Sequence, residues 1–392
     1  MSQELIGRSP ALKKLQDEGY GIQEKGGLVI VHQIPYVNNK KEVCSGTLVS
    51  ELTLASAKVV GVPSTHVIYF IGEYPCDVNG QPLTALRHSS SKQTLGNGIV
   101  VDHSFSNKPG RNYLDYYEKI TTYCNLISSP AKAIDPNVTE KNFMVFSDAT
   151  SDSVFHYTDT NASRANILSI TEKLEGQKIA IIGVGGTGSY IFDFVAKTPV
   201  QEIHLFDADT FYVHNAFRAP GAASDEDLNK QLKKVEYLKS RYSVLHKNIV
   251  AHPFHISDET IKELSGMSYV FIAVDKGDIK NIIIKSLLSE GITFIDVGMG
   301  INVVNNSLMG MLRVTTGSPT KNDHLSERIS FADDRDDEYA TNIQIAELNA
   351  LNAALAVIKW KKLCGFYNDL EGEYHTTYSI NVSQMVNDEV TL

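Results

Sequence analysis

Two patterns of apolar and polar positions divide the chain. Over the first 150 residues, short β-type runs accompany one amphipathic helix. Residues 28–34 and 67–71 are rich in β-branched and aromatic side chains and predict strands. Residues 99–101 predict another, and Asn79-Gly80 predicts a hairpin turn. Between 112 and 128, Tyr113, Tyr117, Ile120, Cys124 and Ile127 recur at helical spacing and so share one face. Pro130 is expected to stop that helix. The polar run Ser147–Ser153 marks the expected boundary between a domain at 1–150 and another at 151–392.

Beyond it, apolar strands alternate with helices. Strands are expected at 178–182, 202–206, 250–255, 269–274, 293–297 and 309–314. Helices are expected at 189–197, along a single long stretch at 225–245, at 280–289, and at 343–363 with Gly365 closing the last. This alternation predicts an α/β fold: a doubly wound, Rossmann-like parallel sheet covered on both faces, preceded by a smaller α+β domain.

Composition narrows the function. The 392 residues are 42% hydrophobic with a net charge of −10, which disfavours nucleic acid or an anionic membrane as partner. The N-terminus lacks a signal-peptide core, so a reducing cytoplasm is the expected compartment. Cys44, Cys76, Cys124 and Cys364 form no C-x-x-C pair, so neither a disulfide framework nor zinc is expected.

The chemistry concentrates after the first predicted parallel strand. Gly183-Val-Gly185-Gly186-Thr-Gly188 satisfies G-x-G-x-x-G between a strand and a helix, where backbone N–H groups can meet a phosphate. Asp207 follows Gly188 by 19 residues, the place of a ribose-binding carboxylate. These features alone allow an NAD-dependent oxidoreductase. The continuation Asp207-Ala-Asp209, then Asn215-Ala-Phe-Arg218, resembles instead the ThiF-type adenylating family, which includes the ubiquitin-activating enzymes.

That resemblance, over about residues 160–365, implies a set of roles. Gly183, Gly185, Gly186, Gly188, Asp207 and Asp209 would hold ATP, with Asn215 and Arg218 on its phosphates. Lys234, or Lys233 beside it, would be the helix lysine. Asp278, ending Asp275-Lys-Gly-Asp278, would be the catalytic carboxylate that binds Mg²⁺. Arg164 would reach a neighbouring subunit's site in a homodimer. The implied reaction is ATP-dependent adenylation of the C-terminal carboxylate of a ubiquitin-like protein. A conjugating-enzyme-like partner would follow, in a bacterial pathway of antiviral type. The first 150 residues resemble the amino-terminal region fused to certain bacterial members, with a docking role implied.

One departure matters. The crossover segment, about 312–342, has no cysteine to take the acyl group. Either another protein's nucleophile accepts it, or a hydroxyl such as Thr320 or Thr316 does, with His324 as base. Cys76 is the cysteine expected to be most exposed. His252-Pro-Phe-His255 reads as strand-end packing, and the acidic run Asp333–Glu338 as a solvated loop. A non-catalytic nucleotide-binding scaffold is the remaining alternative.

Overall fold

The computed structural model describes residues 2–56, 59–146, 153–331 and 343–390. The polar boundary run, save Ser153, and the acidic run 333–338 lie outside the described residues. The chain forms two compact units: residues 1–152 with 157–168, and residues 153–156 with 169–392.

The first unit is an antiparallel sheet with helices on it. Its strand order is Gly21–Glu24, Leu28–Val37, Val43–Glu51, Val67–Ile71, His103–Ser106 and Arg87–Ser89. The helix Tyr116–Ile134 starts later than the periodicity suggests, because the side chain of Asp115 caps it by accepting the Glu118 N–H. Its Tyr116, Ile120, Tyr123, Cys124 and Ile127 pack against Val29, Val31, Leu48 and Phe70. Pro130 does not end this helix but lies inside it. Ala131 is buried one residue further on, and Lys132 pairs with Glu140 at 2.6 Å, so tertiary packing offsets the missing hydrogen bond. Lys119 is fully buried with its ammonium on the Ser50 hydroxyl at 2.9 Å, and burial lowers its pKa to about 8. At Asn79-Gly80 a tight turn forms, flanked by a single bridge between Cys76 and Pro82 rather than by strands.

The second unit is an eight-stranded sheet in the order Ile249–His252, Glu202–Phe206, Lys178–Ile182, Tyr269–Ile272, Thr293–Val304, Ser307–Gly317, His375–Ser379 and Gln384–Asp388. The first five are parallel and the last three antiparallel. The fold is thus a mainly parallel α/β unit preceded by an antiparallel, β-rich one. The expected strand at 309–314 departs from the parallel pattern for a local reason. Asn305 and Asn306 both take positive φ, 49° and 61°, and this two-residue turn folds the chain straight back. The expected long helix at 225–245 is two, Asp225–Asn229 and Lys234–Tyr242. Gln231, at φ 46°, breaks it, and the Lys234 N–H goes to the carbonyl of Asp209 at 2.9 Å.

Each sheet face is covered. Helices Gly186–Val195 and Ala346–Leu363 bury Ile191, Phe192, Ala353 and Trp360 against Ile181, Phe271 and Val297. On the other face, Gly277–Ser289 buries Ile283 and Leu287 against Ile182, Ile272 and Phe294. The strand Lys178–Ile182 has Glu202–Phe206 on one side and Tyr269–Ile272 on the other, so the crossover direction reverses there. A crevice opens where such strands end. No helix among the described residues is long and apolar enough to cross a membrane.

Candidate functional site

The crevice is a cavity of about 410 Å³ at those strand ends. Gly183, Gly185 and Gly186 line it from the glycine loop, followed by Asp207, Asp209, Arg218 and Lys234. Residues brought together by the fold complete it: His255, Ile256, Asp275, Lys276, Ile279, Gly298, Gln344 and Asn352.

The loop's glycines are fixed by space. Gly183 has φ +82°, and a Cβ there would sit 2.6 Å from the Ala273 carbonyl oxygen. Gly188 packs its Cα directly against the Gly183 carbonyl, closing helix onto strand without lining the cavity. The helix that follows has no side-chain cap at Gly185, which leaves its first N–H groups for a ligand.

Asp207 is 7% exposed and accepts backbone N–H groups from Val184 at 3.0 Å and Asp209 at 2.9 Å. Lys234, at the start of its helix because Gln231 breaks the chain, reaches both acids. Its ammonium is 2.6 Å from Asp209 and 3.7 Å from Asp207. The Lys234 hydrogen bond holds the Asp209 carboxyl below the usual carboxylate range, with His255 and Lys276 adding to the effect. Lys233, by contrast, spends its ammonium on the Ala208 carbonyl at 2.6 Å.

Asn215 is buried and accepts the Tyr212 N–H at 2.9 Å, while its Nδ2 has no protein partner. The Nε of Arg218 is likewise buried and unpaired. Asn215 stands behind the cavity rather than on its lining. Asp275 lines the cavity, whereas Asp278 is exposed in the first turn of Gly277–Ser289 and does not. Arg164 is exposed at the end of the helix Thr160–Arg164, in the first unit.

The hydroxyl acceptors fare differently. Thr316 is 1% exposed, and the His324 imidazole donates through Nε2 to its backbone carbonyl at 3.0 Å rather than meeting a hydroxyl. Thr320 is exposed and shares a hydrogen bond with Ser318 at 3.2 Å. The geometry therefore does not form the threonine–His324 pair. Cys76 is buried, not exposed, and burial pushes its thiol pKa up. His252 stacks on Phe206 at the end of its strand, while His255 opens into the cavity.

Behind the cavity wall lies an ionic knot that no motif announces. Asp296 is fully buried between Lys280 at 3.0 Å and Arg313 at 2.6 Å. Arg313 also donates to Thr315 at 2.7 Å, and the Thr315 hydroxyl meets His375 Nδ1 at 3.0 Å. The arginine uses its proton there, so Thr315 donates and His375 accepts; burial lowers the His375 pKa to about 4, which keeps it neutral. The guanidinium lies over Gly298, where a Cβ would come within 2.6 Å of it.

A glycine loop, an acid at the end of the second strand and the cations Arg218, Lys234 and Lys276 now share one cavity, and comparison with known proteins assigns the architecture. The ThiF family model matches residues 148–379, more than half of the chain. The chain belongs to the ThiF family. It is accordingly a ThiF-family adenylyltransferase, and the family reaction is ATP-dependent adenylation. A second model, a domain of unknown function named DUF6791, matches residues 10–160. Similar solved structures include PaaA, at 15% identity and TM-score 0.47, covering 87% of this chain and 99% of that one. They also include Escherichia coli MccB with MccA-N7isoASN, at 16% identity and TM-score 0.49, covering 77% and 95%. E. coli MccB with ATP is 18% identical with TM-score 0.45, covering 78% and 96%. No curated protein matches the chain.

Proposed function

We propose that this ThiF-family member adenylates the C-terminal carboxylate of a ubiquitin-like protein and releases the acyl group to another protein. The observation that carries the nucleotide half is the convergence of the uncapped glycine-loop helix, Asp207, Arg218 and Lys234 on one cavity. In this reading Asp207 takes the ribose. The loop N–H groups, Asn215, Arg218 and Lys234 take the phosphates. Ile256, Ile279 and Phe206 give the base an apolar pocket. A triphosphate explains two cations and two unpaired donors, which a nicotinamide dinucleotide has less use for.

The donor set suits Mg²⁺. Asp275 offers a hard oxygen ligand on the cavity lining while Asp278 lies off it at the start of the next helix, and that ion commonly binds one or two carboxylates together with substrate phosphates. When bound, it would neutralise charge on the phosphates. The chain's own residues position the rest. The substrate carboxylate oxygen forms a bond to the α-phosphorus, the bond to the bridging oxygen breaks, and its electron pair leaves with pyrophosphate. No proton needs to move. Arg218 and Lys234 meet the charge that builds on the phosphate oxygens.

Burial of Thr316 and the engagement of His324 favour transfer to an outside nucleophile, supplied by a conjugating-enzyme-like partner, over an internal oxyester. A homodimer with Arg164 completing the neighbouring site, and a bacterial antiviral pathway, rest on the sequence resemblance alone. The test is ATP–pyrophosphate exchange with ubiquitin-like proteins encoded beside the gene. Stimulation by one of them that disappears in Asp278→Ala supports the proposal. No stimulation by any, with Asp278→Ala indistinguishable from wild type, refutes it.

A further inference from the structure

The unpaired groups around the cavity are of two kinds. Asn215 Nδ2 and Arg218 Nε are donors. Gln344 Oε1 and Asn352 Oδ1 are acceptors, both buried, on residues that line the cavity. Gln344 Oε1 lies against the glycine loop, 2.5 Å from a Cβ built at Gly186, whereas Asn352 sits well inside the final helix. The Asn352 side chain is fully buried, and its orientation is fixed. Its Nδ2 donates to the Gly298 carbonyl at 3.0 Å, so the oxygen is the end left without a donor. A buried acceptor in that state is a cost that a ligand bringing an N–H or O–H would relieve.

The nucleotide is poorly suited to bring it. A triphosphate offers acceptors only, the ribose hydroxyls belong to Asp207, and the apolar pocket of Phe206 and Ile256 lies in the core on the opposite sheet face from Asn352's helix. The second substrate must then carry the donor. A polypeptide ending in a carboxylate has one close by, the N–H of its last peptide bond.

The neighbouring backbone has room for such a chain. Strand Tyr269–Ile272 pairs with Thr293–Val304 only as far as Ile272 opposite Asp296. From Val297 onward the latter is paired with Ser307–Gly317 alone among the described residues, and a Cβ built at Gly300 meets nothing within 4 Å.

We propose that Asn352 reads a peptide N–H in the C-terminal segment of the substrate. The site thereby selects the end of a polypeptide over a free carboxylic acid. Asn352 takes no part in the bond exchange; it sets which carboxylate arrives beside the α-phosphate. This rests on the adenylation reading above.

The probe is a stable mimic of the adenylate, adenosine 5′-sulfamate acylated with Gly-Gly, and its ester analogue in which oxygen replaces the N–H between the glycines. Calorimetric titration of the full chain gives both affinities. Wild type should bind the amide about tenfold more tightly than the ester, the size of one buried hydrogen bond. Asn352→Leu should reduce that ratio below about twofold, while binding of adenosine sulfamate alone stays unchanged. A wild-type ratio near one, or a tenfold ratio surviving in Asn352→Leu, overturns the proposal. So does discrimination against the 2′-deoxy nucleoside that vanishes in Asn352→Leu, which would assign Asn352 to the ribose. If adenosine sulfamate does not bind wild type at all, the adenylation reading itself falls, and that result is separately visible.

Discussion

Replacing Lys234 with Met removes one charge while keeping the side chain's length. The Lys234 side chain is 9% exposed, and its ammonium lies 2.6 Å from Asp209 and 3.7 Å from Asp207. In the proposed reaction it meets a phosphate oxygen as charge builds, and loss of one such group costs about 10²–10³ in rate. Stability should move too. Asp207 keeps its two backbone donors but loses its cation, and weakening the hydrogen-bonded surroundings of one buried acid costs about 1–3 kcal/mol. The pH dependence has a definite sign. Asp209 has a depressed pKa in the folded chain, so its pairing contributes fully above the ordinary aspartate value of about 4 and is lost as pH falls through the lower folded value. Lys234→Met should remove the largest part of that component, leaving the smaller effect of His255 and Lys276 and a stability profile flatter in acid. Pyrophosphate exchange, urea unfolding at pH 7 and unfolding repeated towards pH 3 measure the three effects. Lys233→Met is the control, because that ammonium is committed to the Ala208 carbonyl. Its exchange rate should stay within about threefold of wild type, well short of the loss of one charge-stabilising group. Equal exchange rates in wild type and Lys234→Met, or a larger loss in Lys233→Met, would refute the reasoning.

Two further outcomes are expected. Asp296→Leu leaves Lys280 and Arg313 buried without their shared anion, and should lower unfolding stability by about 3–5 kcal/mol in urea titrations; simultaneous replacement of both cations by Met should restore most of it, and a single variant as stable as wild type would show the knot to be energetically idle. Thr320→Val should leave product formation unchanged. Hydroxylamine added to ATP and a stimulating substrate should trap the adenylate, while mass spectrometry of a separate incubation without hydroxylamine finds no acyl group on the chain; an acyl adduct there that Thr320→Val removes would restore the internal hydroxyl acceptor.

Much of the cavity lining proposed to hold the nucleotide is legible along the sequence because each piece is local. Gly183 to Gly188 needs only a strand before it and a helix after it, and Asp207 is reached by counting to the end of the next strand. Lys234 was harder. A continuous helix at 225–245 would give no reason for it to face the cavity; the break at Gln231 and the Lys234 N–H bond to Asp209 create its position. Pro130 shows the same limit, since burial of Ala131 and the Lys132–Glu140 pair outweigh a local helix breaker. Gln344 and Asn352 carry no motif signal, and His255 and Lys276 lie in short motifs that give them no role at this cavity. They come from three separate segments, Gln344 and Asn352 sharing one, and only the crossing of the chain at the strand ends brings these segments to one cavity.

The cysteine question changes character once the cavity is visible. An enzyme that forms its own thioester needs a nucleophile able to reach the adenylate. Among the described residues the four thiols offer little towards that: Cys124 and Cys76 are buried in the first unit, Cys44 is partly buried in the same unit, and Cys364 caps the far end of the final helix beside Gln177. The hydroxyls expected in their place are buried or paired. What the second unit does present is a cavity with unpaired donors on Asn215 and Arg218 and unpaired amide acceptors on Gln344 and Asn352. On the proposed reading such a surface takes two substrates and leaves the acyl group on the nucleotide for an outside nucleophile to collect.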